Sequence, residues 1–170
     1  FKEFTLSWDI GGYARFDHQV DSYSFHCGMA PMLFATLDIR RDDYDFALAR
    51  KMIAIWRRAS DLILHGDYYP LTPFHHSATE WVIRQFDCPE TGSGFVQGIR
   101  LPASPKETIT IHPKGIHPAA IYLFENADTG ETRDSTGEQL IHAGFTFVLS
   151  PRSGAIWFYR RRATHKMMEA

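Results

Sequence analysis

The fold is decided by residues 46–74, which read FALARKMIAIWRRASDLILHGDYYPLTPF, because the spacing of the apolar residues changes within this stretch. In its first part the apolar positions recur at alternating intervals of three and four, as on one face of an α-helix. These positions are Phe46, Ala49, Ile53, Trp56, Ala59 and Ile63. From about Tyr68 the chain turns to short apolar runs separated by turn residues, which is typical of antiparallel strands. The sequence therefore predicts two architectures that meet near residues 68–74.

The amphipathic helix is predicted to run from about Asp43 to His65, with the Phe46, Ile53, Trp56 and Ile63 face buried. Asp42 is the predicted N-cap, and acidic residues in the first turn suit the positive end of the helix dipole. His65 followed by a glycine is the predicted stop.

Before this helix the chain alternates strands and helices, which is the order found in parallel sheets and barrels. Phe4 to Trp8 predicts a strand that breaks at Gly11-Gly12. Asp21 to Ala30 predicts a short helix, and Met32 to Ile39 a second strand.

After the helix at least six short strands are predicted, and that pattern favours a small antiparallel sandwich. The strands are Trp81 to Phe86, Gly94 to Leu101, Thr108 to His112, Ile121 to Glu125, Phe145 to Leu149 and Ala155 to Tyr159. The first two flank Pro89-Glu90-Thr91-Gly92, a predicted hairpin turn. Aromatic residues in these strands form either the sandwich core, which we expect, or a platform for stacking sugars.

The composition is that of a folded globular protein, with 44% hydrophobic and 22% charged residues among 170. A formal charge of -2 argues against a nucleic-acid partner. No apolar run reaches the about 20 residues that a membrane-spanning helix needs, so no membrane partner is expected. The two cysteines, Cys27 and Cys88, imply no disulfide framework but leave one bridge open, and they leave the compartment undetermined.

A series of motifs in the second half resembles the end of family 36 α-galactosidases. It begins with Gly66-Asp67-Tyr68-Tyr69-Pro70-Leu71-Thr72-Pro73 after the long helix and continues with Trp81 to Asp87 and Gly94 to Arg100. Ala120-Ile121-Tyr122, Ser135 to Leu140 and Ala155 to Tyr159 agree with the same order. The earlier segment Trp8-Asp9-Ile10-Gly11-Gly12-Tyr13 is similar to a barrel strand end of the related family 31 α-glucosidases.

The resemblance implies an α+β chain in which residues 1–70 are the end of a (β/α)8 barrel, about two βα units, and residues 71–170 are an antiparallel β-sandwich. The chain opens on Phe1 directly into a strand, so we expect the earlier barrel strands to precede it. In this family those strands carry the two catalytic carboxylates, which lie about 5 to 5.5 Å apart in retaining glycosidases. No catalytic residue is therefore assigned to this chain, which alone is expected to be inactive.

Trp8 and Asp9 are the predicted substrate-binding residues, because they end a barrel strand at the face where barrels bind substrates. The competing interpretation is that an aspartate before Gly-Gly forms a turn with its own backbone. Asp17-His18-Gln19 and His26-Cys27 lack the spacing of a metal or catalytic site, so no metal and no cofactor are predicted.

Three hypotheses remain at this point. The first is the C-terminal fragment of an α-galactosidase-like hydrolase, whose intact form takes a carbohydrate, an α-galactoside or a related sugar, as its partner. The second is a stand-alone carbohydrate-binding β-domain, and the third is an interaction domain that docks on another chain. Cut barrel strands would leave apolar surface bare, so a homo-oligomer through the N-terminal segment is expected; local refolding of that segment is the alternative.

Overall fold

The computed structural model describes residues 11–15, 20–36, 40–73 and 75–162. Its strands are β1 Gly11–Arg15, β2 Met32–Thr36, β3 Asp67–Pro70, β4 Trp81–Cys88, β5 Ser93–Arg100, β6 Thr108–Ile111, β7 Ile121–Asn126, β8 Thr132–Thr136, β9 Phe145–Val148 and β10 Ser153–Arg161. Its helices are α1 Ser22–Cys27, α2 Phe46–His65 and α3 Gly137–His142.

Six of the strands form one sheet in the order β3-β4-β5-β10-β7-β8, and every neighbouring pair in it is antiparallel. Strands β6 and β9 form a second, two-stranded antiparallel sheet. The mostly antiparallel architecture expected for the second half of the chain is thereby confirmed. Strands β1 and β2 pair in parallel, with Gly11 opposite Met32.

The two faces of the six-stranded sheet carry different cores. We call the face that presents Phe86, Phe95, Ile156 and Phe158 the helix face, because α1 and α2 pack on it. Their buried side chains there are Phe25, Ala49, Met52, Ile55, Ala59 and Ile63. We call the other the strand face, because it packs on β6 and β9; its core consists of Trp81, Ile83, Val96, Ile111, Tyr122, Phe124, Leu140, Phe145, Phe147, Trp157 and Tyr159.

Helix α2 ends at His65 as predicted, but it starts at Phe46 and not near Asp43, and it differs from the prediction in its cap and in its buried stripe. The N-cap is Asp45, whose carboxylate accepts from the Leu48 backbone N–H at 2.9 Å, and not Asp42. Capping requires a side chain that reaches the first free N–H groups, and the helix starts later than predicted.

Ala49, Ala59 and Ile63 of the predicted stripe are buried, together with two residues that the pattern missed, Met52 and Ile55. Phe46, Ile53 and Trp56 are only partly buried, so the stripe is rotated about the helix axis relative to the prediction.

Four elements differ from the sequence-based expectation. Gly11 and Gly12 belong to strand β1, where they pair with Met32 and Leu33 of β2, whereas a break was predicted at this position. Strands β3 and β8 and helix α3 were not predicted. Helix α3 is held by a capping box in which the side chains of Thr136 and Gln139 each bond the other's backbone.

The structure also bears on the predicted short helix, on the two cysteines and on the question of a membrane-spanning helix. The short helix expected within 21–30 is α1, and Asp21 caps it by accepting from the backbone N–H groups of Tyr23 and Ser24. Cys27 and Cys88 are both free thiols, so the bridge that the sequence left open is not formed. Within the described ranges, no helix is both long and apolar enough to cross a bilayer.

Candidate functional site

The two predicted substrate-binding residues, Trp8 and Asp9, lie outside the described residues. Their role therefore stays a prediction. The same holds for the strand expected at residues 4–8 and for the Asp17-His18-Gln19 segment.

The aromatic residues that the sequence offered as a sugar platform are all buried. Their exposed fractions lie between 0% and 4% for Trp81, Phe86, Phe95, Tyr122, Phe124, Phe145, Phe147, Trp157, Phe158 and Tyr159. A ring must expose its face to stack on a sugar, so these ten side chains serve as core. The core interpretation of the aromatic residues agrees with this burial.

The histidines do not gather into one site. His26 is fully buried, and its Nε2 lies 3.1 Å from the Asp128 carboxylate, 102 positions away in the sequence. His75, His112 and His117 are exposed. Across the ranges given above, no group of three or more His, Cys, Asp or Glu side chains is placed to hold a metal ion.

A cleft of about 700 Å³ opens on the helix face of the sheet, beside the edge strand β3. Its walls come from β3, from the segment that follows it and from β4: Tyr68, Pro70, Leu71, Thr72, Pro73, His75, Val82, Ile83 and Arg84. Tyr68 and Pro70 stand opposite Phe86 and Arg84 in the β3–β4 register, which places them on the same face of the sheet. Leu71 and Ile83, by contrast, pack in the strand-face core, so the cleft lies at the β3 edge of the sheet and is lined from both faces.

The segment after β3 is pinned to β4, which keeps the cleft open. The Leu71 N–H donates to the Ile83 carbonyl at 2.9 Å, and the Ile83 N–H donates to the Thr72 hydroxyl at 3.0 Å. The Tyr68 ring packs on Phe86, with centroids 5.2 Å apart. Because both ends of this wall are bonded, the cleft is preformed in the structure.

Among the described residues, Arg84 is the one arginine or lysine that lines the cleft. Its Nε donates to the Gln97 side-chain oxygen, and its Nη2 donates to the Met29 carbonyl at 2.8 Å. Burial lowers the pKa of Arg84, although a guanidinium remains protonated at any physiological pH. The position of the charge is therefore fixed from two sides.

A chain of buried polar groups supports this arginine. The Gln97 amide donates to the His26 carbonyl at 3.1 Å, and the His26 ring pairs with Asp128. The second carboxylate oxygen of Asp128 accepts from the Ile156 N–H at 3.2 Å. This chain links α1 to three strands of the sheet and positions the Arg84 side chain.

The cleft has the chemistry of a binding site. Among the described residues no carboxylate lines it, so these residues offer no pair of acids for glycosidic cleavage. Five of its nine lining residues are apolar, and its polar groups are one phenol, one hydroxyl, one imidazole and one guanidinium. A ligand would therefore be held by apolar contact and by one fixed positive charge.

The cleft was not predicted from the sequence. The only signal available was Arg84 within the apolar alternation of strand β4, between Val82 and Phe86 on the helix face. A charged residue at such a position indicates a special environment but does not identify it.

A second buried charged group, Asp87, lies on the strand face. Its Oδ1 accepts from the Tyr159 hydroxyl at 2.6 Å, whereas its Oδ2 has no hydrogen-bond partner in the described part of the chain. Burial is the main cause that raises the pKa of Asp87, and the nearby carboxylates of Asp67 and Glu90 add to it. Gly115, with φ of 70°, lies so close that an added Cβ would be 2.5 Å from Oδ2. This packing leaves no room for a ligand.

Comparison with known proteins bears on the fold. No protein-family model matches the chain, and no curated protein matches it. Solved structures of α-galactosidases do match. The galactosidase domain of the α-galactosidase-sucrose kinase AgaSK is 23% identical over 82% of this chain, with a TM-score of 0.65. The GH36 α-galactosidase AgaB from Geobacillus stearothermophilus is 17% identical over 89% of this chain, with a TM-score of 0.64.

A variant of a second enzyme from that organism, AgaA, solved in complex with raffinose, is 16% identical over 82% of this chain, with a TM-score of 0.61. In all three cases the match spans only 19% to 21% of the other chain. At these identities the comparison establishes the fold. The chain has the fold of about one fifth of a GH36 α-galactosidase, which confirms the resemblance that its motifs predicted.

Proposed function

We propose that this chain is the C-terminal, non-catalytic part of an α-galactosidase-like glycoside hydrolase, whose intact form hydrolyses α-glycosidic bonds. The observation that carries the proposal is the structural match, which covers most of this chain but only about one fifth of each GH36 enzyme. The order of the motifs, a long helix followed by an antiparallel β-domain, supports placement at the C-terminal end.

In this proposal residues 1–70 are the last part of the barrel and residues 71–170 are the sandwich. Trp8 and Asp9 lie at the end of a barrel strand and contact the sugar in the intact enzyme. The complexes of AgaA variants with raffinose and stachyose favour an α-galactoside as that sugar. The N-terminal segment is the surface through which the separate chain associates.

In this proposal the separate chain is expected to be inactive, because it lacks both catalytic groups. Hydrolysis requires an acid and a nucleophile on opposite sides of the glycosidic bond, and each contributes several orders of magnitude to the rate. Both would be supplied by other barrel strands of the intact enzyme. The role left to this chain is to complete the barrel and to cover it with the β-domain.

An activity assay with an aryl α-galactoside tests the proposal. We expect the full-length gene product to release the aryl group and the 170-residue chain to remain at background. Turnover by this chain that disappears in Asp9→Asn would overturn the proposal. The coding sequence immediately upstream provides an independent check, since it should encode an in-frame barrel with two strand-end aspartates.

The alternative, a stand-alone carbohydrate-binding domain, receives no support from the ten buried aromatic residues. The two functions differ in a binding titration with raffinose. Binding by the isolated chain at micromolar concentration would favour the alternative, whereas binding by the full-length product alone would favour the proposed function.

Light scattering of the isolated chain tests the proposed association through the N-terminal segment. A monomer at tens of micromolar would contradict it.

A further inference from the structure

Arg84 differs from the other arginines whose ion pairs are described. Arg41, Arg58, Arg133, Arg152 and Arg162 each pair with an aspartate or glutamate near the surface. Arg84 is partly buried, yet no carboxylate of the described chain pairs with it, and only neutral oxygens accept its hydrogen bonds. Taking a cation out of water without an anion nearby is costly. Arg100, which is more deeply buried, likewise donates only to the carbonyls of Leu149 and Ser104, but Arg84 is the one of these two that lines the cleft.

The guanidinium also has donors to spare. It carries five N–H groups, and its contacts with Gln97 and Met29 use Nε and Nη2. Nη1 donates to no described residue. Because the guanidinium is planar and clamped by these two contacts, its remaining donors have a fixed direction, which suits two-point recognition of a carboxylate.

We propose that the cleft between β3 and β4 binds a small ring-shaped carboxylate, with the carboxylate on Arg84 and the ring against the apolar wall. A volume of about 700 Å³ falls within the usual range for small-molecule sites and exceeds what one side chain fills. The wall formed by Pro70, Leu71 and Val82 supplies apolar contact, and the Tyr68 ring lies beside it. This binding activity goes beyond the hydrolase function proposed above and does not depend on it.

Two classes of ring-shaped compound carry a negatively charged carboxylate: aromatic acids and uronic sugars. The titration therefore uses benzoate and galacturonate, each beside its neutral counterpart, benzamide and galactose. We expect at least one acid to bind the 170-residue chain with a dissociation constant of about 1 mM or lower, with NMR shift changes centred on Val82 and Arg84. The neutral counterpart should bind at least about tenfold more weakly, because a charge-assisted hydrogen bond is lost. Which acid binds identifies the source of the carboxylate.

Val82→Glu is the decisive variant. Val82 is 41% exposed and lies two positions from Arg84 on the same face of β4, about 6.6 Å away. A glutamate there places a carboxylate within reach of the guanidinium and should abolish binding of the acid without disturbing the core. Val82→Gln has the shape of the glutamate without its charge and loses the same apolar contact, so it should weaken binding by about threefold, and the further loss in Val82→Glu reports the effect of the charge. Arg84→Lys retains the positive charge but not the planar guanidinium with its paired N–H donors, so it should weaken binding about tenfold.

Three results would overturn the proposal. The first is the absence of binding for both acids at 10 mM, roughly ten times the expected dissociation constant. The second is equal affinity for an acid and its neutral counterpart, which would mean that Arg84 plays no part. The third is unchanged binding of the acid by Val82→Glu, which would place the ligand elsewhere.

Discussion

The two faces of the six-stranded sheet differ in the contacts that attach other elements to them. On the strand face, aromatic rings contact one another directly: Phe145 stacks on Phe124 at 4.7 Å and meets Phe147 and Trp157 edge to face at 5.3 and 5.4 Å. On the helix face, Phe95 also contacts Phe86 and Phe158, with centroids 5.1 and 5.6 Å away, but the helices and the segments beside them are attached in part by polar contacts. The Trp56 indole donates to the Ala30 carbonyl at 2.9 Å, and Arg152 pairs with Asp21.

The difference indicates where stability and where adaptability reside. A closed aromatic core gains free energy in proportion to the area that it buries and needs no further partner. The helix face is held partly by hydrogen bonds, each of which contributes less, and it leaves a cleft beside β3. We therefore expect the strand face to dominate the free energy of unfolding and the helix face to dominate any binding.

The largest effect is expected from a large-to-small substitution in the strand-face core. Phe124 is fully buried, and Phe124→Ala should lower the free energy of unfolding by about 3 to 5 kcal/mol. Met52→Ala, at a buried position of α2 on the helix face, should cost less, at about 2 to 3 kcal/mol. Urea unfolding followed by circular dichroism measures both. A larger loss for Met52→Ala would reverse the ranking of the two faces.

The next effect concerns the start of α2 on the helix face. Asp45→Ala removes the side chain that accepts from the Leu48 N–H and should cost about 1 kcal/mol. Asp42→Ala is the matched control, since Asp42 is exposed and lies outside the helix, and it should change stability by less than about 0.5 kcal/mol. Equal losses in the two variants would mean that the cap is misassigned.

A smaller effect is expected at Asp87 on the strand face, and it depends on pH. The pKa of Asp87 is raised above 3.8 in the folded chain, so the folded state holds a proton that the unfolded state has already lost. Stability therefore falls as pH rises from 3.8 through the folded pKa, and the whole cost is present above it. Asp87→Asn removes the charge but keeps an oxygen that accepts from Tyr159.

Asp87→Asn should therefore match the parent chain below about pH 4 and exceed its stability by up to about 1 kcal/mol at pH 7. Thermal unfolding across this pH range measures the difference. Asp61→Asn, on the exposed side of α2, removes a carboxylate at a surface position and is the control for the change in net charge. A variant that is less stable than the parent at pH 7 would show that the Asp87 charge is compensated.

The smallest effect is expected where α2 meets strand β7 at the rim of the helix face. Arg58 donates to both Glu125 oxygens at 2.7 and 2.9 Å, and these bonds are the main cause that lowers the pKa of Glu125. Such a group stabilises the fold above its ordinary pKa of 4.5, and the contribution is lost as pH falls through the folded pKa.

Glu125→Gln should cost about 0.2 to 1 kcal/mol in low salt, because the pair is largely exposed. The cost should shrink in 1 M NaCl, where the Debye length is about 3 Å. Glu131→Gln removes the more local pair with Arg133 and serves as a comparison. A cost that persists in high salt would show that the contact acts through packing of Arg58 on Phe158.

Sequence patterns predicted the central strands of the six-stranded sheet better than its edge strands. The predicted central strands agree with β4, β5, β7 and β10 to within a few residues, because each is an apolar run bounded by turn residues. Strand β3 was not predicted because it is short and ends in Pro70. Strand β8 was not predicted because its residues, Thr132 to Thr136, are polar. Edge strands carry little of the hydrophobic signal on which such predictions depend.

The candidate site could not be predicted, because its parts are distant in sequence. Arg84 depends on a carbonyl at Met29, and His26 pairs with Asp128 only once α1 lies on the sheet. No local pattern records a contact between residues 55 or 102 positions apart. The sequence-based site at Trp8 and Asp9 arose from the resemblance and remains a prediction.

The outer strands of the six-stranded sheet have a consequence for solubility. An unpaired strand edge is a template on which another chain can add a strand, and long apolar edges lead to aggregation. Here one edge is β3, four residues long and ending in a proline without an N–H, and the other is β8, which contains Arg133 and Asp134. Both edges discourage strand addition, so the β-domain should resist polymerisation even when it is produced apart from a barrel.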